Sequence, residues 1–208
     1  MKRMSLLKAG VAFAVPGVLS FGASAKPVSK AKAPKILVVY FSRPGMNYVS
    51  ADMVNLPVGN TEKFAKIIAK TLDAPLFRIE PVTPYPFDYR KTTAIAREER
   101  SAGKARDAKA IPDIRGYDVI FWGHPIWYGE MPYIVRGVLS KLDCAGKTIV
   151  PFVTHEGSGI GDTANLVRSF QKRAAVREGL GILGTRFARN EPVEPEITAW
   201  LKRLGYQK

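Results

Sequence analysis

A chain of 208 residues with 32 Lys and Arg against 18 Asp and Glu carries a formal net charge of +14. That is enough length for one domain with a sizeable core, and the charge reads first as a solvated basic surface and second as a draw on an acidic redox partner or anionic substrate. Its single cysteine, Cys144, excludes an intrachain disulfide and a cysteine-cluster metal site, and its two histidines, His124 and His155, do not stand at a metal-ligand spacing. The cations are scattered along helices without interleaved aromatics, which sets nucleic acid aside as a partner.

Lys2, Arg3 and Lys8 precede a mostly apolar run from Ala9 to Phe21, and Ala23-Ser24-Ala25 supplies the small residues of a cleavage site. Residues 1–25 therefore read as a cleavable export signal, cut near Ala25, with a periplasmic destination. The apolar run is short for a membrane span and is broken by Pro16 and Gly17, so no permanent anchor is expected. Arg3-Met4-Ser5-Leu6-Leu7-Lys8 resembles a twin-arginine signal with Met4 in place of the second Arg, and a Sec signal is the alternative. Residues 26–34 form a flexible lead rich in Lys, Pro and Ala, and residues 35–208 form a single domain.

Ile36-Leu37-Val38-Val39-Tyr40 is a buried strand, followed by a helix that starts at Gly59-Asn60-Thr61-Glu62 and runs from Thr61 to Leu72. Pro75 to Glu80 reads as a second strand, and Tyr89 to Ser101 as a charged helix whose weakly apolar face suits an edge position. Tyr117 to Gly123 is the third strand and Pro132 to Leu142 its helix. Lys147 to Thr154 is the fourth strand and leads into a helix from Asp162 to Ala174. Leu180 to Phe187 is the fifth strand, and Glu194 to Leu204 the closing helix. Strands and helices alternate throughout, and the strands are too continuously apolar for a one-sided sheet, which predicts a doubly wound α/β domain on a parallel sheet. Cys144 falls in a helix-to-strand turn, where packing suits it better than reactivity.

In such a sheet ligands bind beyond the carboxyl ends of the strands, which singles out three loops. The first holds Ser42-Arg43-Pro44-Gly45 and Gly59-Asn60-Thr61-Glu62 around one helix N-terminus, with hydroxyls, backbone N–H groups and the helix dipole suited to phosphate. An ordinary helix cap would by itself explain Asn60 and Thr61, and the position after the first strand favours phosphate. The intervening segment, with Asn47, Tyr48, Asp52 and Asn55, is long for a strand-to-helix connection and is expected to belong to the site. The second loop, from Gly123 to Pro132, sets Trp127 and Tyr128 past a strand end, where they could stack on a flat partner, while Trp122 lies inside the strand and packs in the core. The third, from Thr154 to Gly161, fails both as a dinucleotide fingerprint, because Asp162 stands at its last glycine position, and as a nucleophile elbow, because Glu156 and Ile160 replace its glycines. What is left is a flexible backbone able to hydrogen-bond the edge of a planar ring, and a plain turn reads nearly as well.

Together these loops resemble the FMN site of flavodoxins, over Lys35 to about Gly205, and the split first loop is similar to a bacterial flavodoxin-like subfamily. The resemblance implies a flavodoxin-like five-stranded parallel sheet of order 2-1-3-4-5 with tight, non-covalent FMN. Carried over by position, Ser42, Asn60 and Thr61 would hold the phosphate. Pro125, Ile126, Trp127, Tyr128 and Gly129 would line the isoalloxazine, and Thr154, Glu156, Gly157 and Gly159 would meet its pyrimidine edge. Arg43, Gly45, Asn47, Gly59 and Ser158 complete the candidate contacts, with Arg43 directed either to the phosphate or to solvent. No side chain stands out as acid, base, nucleophile or metal ligand, which fits electron or hydride transfer. Two roles follow: an electron carrier for a redox partner protein, and an NAD(P)H-dependent reductase of a quinone or similar small acceptor.

Overall fold

The computed structural model describes residues 33–206 together with Met1, so most of the expected export signal and of the expected lead lies outside the described residues. The first strand, β1 (Ile36–Tyr40), leads into a two-stranded hairpin, β2 (Gly45–Val49) and β3 (Asp52–Leu56), and then α1 (Asn60–Leu72). There follow β4 (Leu76–Arg78), α2 (Tyr89–Ala102), β5 (Val119–Pro125), α3 (Tyr133–Leu139), β6 (Thr148–His155) and α4 (Thr163–Phe170). The chain closes with β7 (Ala175–Val176), β8 (Leu180–Leu183), α5 (Gly184–Ala188) and α6 (Glu194–Arg203).

The main sheet is parallel and runs β4-β1-β5-β6, with β7 and β8 both against β6. This is the order 2-1-3-4-5 with the fifth strand in two pieces. Alternation along the strands sends residues to both faces. Val38, Tyr40, Phe121, Val150 and Phe152 pack with Phe64 and Ile68 of α1, Phe187 of α5 and Trp200 and Leu201 of α6. Leu37, Val39, Phe41, Ile120, Trp122 and Ile149 pack with Ile134, Val135 and Val138 of α3 and Val167 of α4. Cys144 joins this second layer, where burial pushes its thiol up to about 11, so it is a packing residue and not a nucleophile. The α2 helix buries only Thr92 and Ala96, as its sequence suggests.

Three expectations need correction. The fifth strand does not run unbroken from Leu180 to Phe187. Its first piece pairs with Thr148 and Ile149 and its second with Phe152 to His155, leaving a gap opposite Pro151. The carbonyls of Lys147 and Ile149 face this edge, where they accept from Ala175 and Arg177, so Pro151 presents its missing N–H to the same side and the ladder breaks there. Past Leu183 the chain turns into α5, which lays Phe187 on Phe64 with ring centroids 5.4 Å apart.

Second, the segment between Gly45 and Gly59 is a hairpin and not a loop, closed by Ser50 and Ala51, both at positive φ (50° and 76°). A two-residue turn of this hand usually carries Asn or Gly, so the sequence signal for it was missing. Third, α1 is capped by Gly59 and not Asn60, which is its first helical residue. The capping acceptor comes from elsewhere in the chain: Ser42 Oγ accepts from Glu62 N at 3.1 Å. A Cβ at Gly59 would stand 2.3 Å from that oxygen, so only glycine lets β1 and α1 meet this closely.

Candidate functional site

The carboxyl ends of β1, β5 and β6 and the start of α1 enclose a cavity of 160 Å³. From the first loop it is lined by Ser42, Arg43, Asn60 and Thr61, and from the hairpin by Asn47 and Tyr48. Pro125, Ile126, Trp127, Thr154 and Glu156 line it from the later loops. The first turn of α1 leaves the amides of Asn60 and Thr61 without an intrahelical acceptor, since Glu62 and Lys63 both donate to the Gly59 carbonyl. Ser42 Oγ accepts from Glu62 N and so keeps its own proton to donate. Thr61 Oγ1 lies 2.7 Å from Thr154 Oγ1, so one of that pair likewise has a proton to give. Asn60 Oδ1 is buried without a hydrogen-bond partner, an acceptor in need of a ligand hydroxyl.

Arg43 goes neither to solvent nor chiefly to the cavity. Its Nη1 donates to the carbonyls of Pro86 (2.9 Å) and Phe87 (3.2 Å) and its Nη2 to that of Met46, tying the hairpin to the start of α2. The guanidinium stays charged beside the helix terminus, although burial lowers its pKa. Gly45 belongs to this clamp and not to the cavity: with φ of +97°, a Cβ there would stand 3.0 Å from the Phe87 carbonyl.

Trp127 packs edge-on against Phe41 (5.5 Å, 82°) and Tyr85 (5.0 Å, 89°), presenting one side to the cavity. Tyr128 turns away, its hydroxyl donating to the Thr93 carbonyl of α2 at 2.9 Å. Gly129, at φ 80°, completes the tight turn whose ends pair Trp127 with Glu130. Gly157, Ser158 and Gly159 lie outside the cavity, and the Gly157 amide is turned onto His155 Nδ1 at 3.0 Å. Glu156, unlike them, lines the cavity. Its carboxylate accepts from Thr185 Oγ1 at 2.5 Å, and a Cβ at Gly184 would stand 2.8 Å from Glu156 Oε1 and 2.7 Å from Asn60 Nδ2, so Glu156 and Asn60 converge on one spot.

The sequence matches the flavodoxin family over residues 35–204. The chain belongs to the flavodoxin family. No curated protein matches it by sequence. Among solved structures this flavodoxin is similar to a candidate flavoprotein from Bacteroides eggerthii, at 28% identity and a TM-score of 0.65, over 83% of this chain and 98% of the other. A second candidate flavoprotein, from Bacteroides uniformis, is 23% identical with a TM-score of 0.63 over 82% and 99% of the two chains. A Lactobacillus acidophilus flavoprotein solved in complex with FMN is 20% identical with a TM-score of 0.52 over 72% and 93%.

Four residues that line this flavodoxin's cavity were absent from the expected set: Tyr48, Tyr89, His155 and Gly184. Tyr48 lay in the segment already flagged by its length, whereas Tyr89 carried no signal beyond opening a helix after Asp88, which caps it by accepting from Lys91 N at 2.8 Å. Among the described residues no cluster of His, Cys, Asp or Glu could hold a metal ion, and no helix is long and apolar enough to cross a membrane.

His124 sits under the site, fully buried at the end of β5, with Nδ1 3.0 Å from the Pro125 carbonyl and Nε2 without a partner. Burial holds its pKa at about 4 against an ordinary 6.5. The unfolded chain therefore binds more protons between those two values, and stability falls as pH drops from 6.5 to 4. The expected slope is about 1.4 kcal/mol per pH unit for this one group. Thermal melts of wild type and His124→Gln at pH 7 and 4.5 check it: the variant should lose much less Tm on acidification, and an equal loss would contradict it.

Proposed function

We propose that this flavodoxin holds FMN in the cavity at the start of α1 and passes electrons through it to a redox partner. The observation that carries the reading is the convergence, on one helix N-terminus, of two unpaired amides, two hydroxyl protons and the buried, unpartnered Asn60 Oδ1. Amides and hydroxyls suit a phosphate, and Asn60 Oδ1 suits a hydroxyl of the adjoining sugar-alcohol chain. Bound FMN would supply reversible one- and two-electron redox chemistry. Ser42, Asn60 and Thr61 would hold the phosphate, Arg43 would add positive charge beside it, and Trp127 would flank the ring. Cleavage near Ala25 would remove Lys2, Arg3 and Lys8 and leave a net charge of +11, three below that of the full chain, which favours an acidic protein partner.

The experiment is to mix anaerobic holoprotein with NADPH, and separately with NADPH and a quinone, while following flavin absorbance. A carrier keeps its oxidised spectrum with NADPH and bleaches only with a reduced protein partner or dithionite. Rapid bleaching by NADPH, reversed by the quinone, would establish the reductase instead. We also propose export, for which N-terminal sequencing of secreted material should begin near Lys26, and an intact Met1 there would contradict it.

Trp127→Ala should weaken FMN binding by about 0.5 to 1.5 kcal/mol and restore flavin fluorescence that stacking quenches. Trp122→Ala, altering a residue 1% exposed inside β5 that does not line the cavity, should change stability more than fluorescence. Unchanged emission in Trp127→Ala would remove that residue from the site.

A further inference from the structure

A second and larger cavity, 540 Å³, opens beyond the carboxyl end of β4, on the other side of β1 from β5. Only Ser42 and Arg43 line both cavities. Its volume lies within the range of small-molecule sites. One wall is aromatic: Phe41 and Tyr85 meet with centroids 5.8 Å apart, and Phe87, 61% exposed, stands at the mouth. Tyr85 is fixed by Glu99, whose carboxylate accepts its hydroxyl at 2.8 Å, and by Arg106, which stacks 4.0 Å from its ring centroid. The ring face is thus held still in advance of any ligand.

The charges on the lining do not balance. Arg43, Arg78 and Lys109 face a single carboxylate, Glu80. Glu80 is engaged by Lys109 at 3.1 Å and by Arg78 at 3.9 Å, and Arg78 also reaches Glu62 at 3.3 Å. Lys66 shares Glu62 at 2.7 Å, so the network of Lys66, Arg78 and Lys109 against Glu62 and Glu80 carries one cation more than it has carboxylates. A preformed aromatic wall beneath a rim with positive charge to spare suits a flat ring carrying one negative group.

We propose that this cavity is a second ligand site for a planar aromatic monoanion, its ring against Phe41, Tyr85 and Phe87 and its acidic group toward Arg78 and Lys109. Phe41 and Tyr85 both touch Trp127, so such a ligand would lie one aromatic layer from the FMN cavity. The site itself does not depend on FMN being present.

The test is isothermal titration of the full chain with 2-naphthoate and with uncharged 2-naphthamide, each with and without saturating FMN. One equivalent of 2-naphthoate should bind and persist when FMN is added, and 2-naphthamide should bind about tenfold or more weaker, because it lacks the charge-assisted contact. Lys109→Glu should weaken the naphthoate about tenfold and leave the amide unchanged, and Phe87→Ala should weaken both about 3- to 10-fold. Both variants alter exposed side chains and should fold. Displacement of the naphthoate by FMN, equal affinity for acid and amide, insensitivity to both variants, or no binding below millimolar would each overturn the proposal. Failure of FMN to bind would sink the redox reading alone, because the naphthoate arms without FMN still decide this one.

Discussion

Replacing Ser42 and Thr61 together by Ala will lower FMN affinity by about 2 to 4 kcal/mol and leave riboflavin affinity unchanged. Under the proposed reading Ser42 gives one proton to the anion and the Thr61–Thr154 pair gives another, and hydrogen bonds to charged groups contribute about 1.5 to 3 kcal/mol apiece without adding strictly. Ser42 accepts from Glu62 N and keeps its proton, and in the Thr61–Thr154 pair the accepting hydroxyl keeps its own. Part of the cost will appear in stability, because the Glu62 amide loses its acceptor and a lost helix cap costs about 1 kcal/mol. Riboflavin separates the two effects: it lacks the phosphate and reports any damage to the rest of the site. Parallel titrations in which FMN and riboflavin weaken equally would show that the helix start is only a cap.

Trp200→Ala will destabilise the protein by about 3 to 5 kcal/mol, the cost of truncating a fully buried large aromatic. Trp200 is 1% exposed and joins three elements, meeting Phe64 of α1 at 6.3 Å and Phe121 of β5 at 5.7 Å. Its removal leaves a cavity beneath Phe64, early in α1. For a domain of this size the loss corresponds to a Tm lower by about 6 to 20 °C. Well below that Tm, FMN affinity should change by less than tenfold, because Trp200 does not line the cavity at the start of α1. Denaturant unfolding that shows a loss under 1 kcal/mol would mean that α6 is not clamped in the way its contacts indicate.

Much of the fold is written locally in the sequence. β1, β5 and β6 read as continuous apolar runs because they are covered on both faces, and such runs need no knowledge of partners. The divided fifth strand does depend on a partner: Pro151 belongs to β6, yet what it breaks is the pairing of its neighbour. The hairpin was hidden because Ser50 and Ala51 adopt positive φ without the residues that usually announce it. In the site, Ser42, Asn60, Thr61, Trp127 and Thr154 converge as their positions at strand ends require. Arg43 and Glu156 line the cavity too, but their bonding partners were not legible, for one shared reason. A long polar side chain goes to the nearest strong partner in space, the Pro86 and Phe87 carbonyls for one and the Thr185 hydroxyl for the other, and chain order does not reveal that partner. Tyr89 reaches the cavity only through the packing of α2 against the hairpin, a contact with no local signature.

The most direct test is isothermal titration of the purified wild-type protein, stripped of any bound cofactor, with FMN and with riboflavin side by side. Hydrogen bonds from the start of α1 to the phosphate predict one FMN per chain, bound at least about tenfold more tightly than riboflavin. Equal affinity for the two, or no FMN binding below millimolar, would contradict the assignment of this cavity.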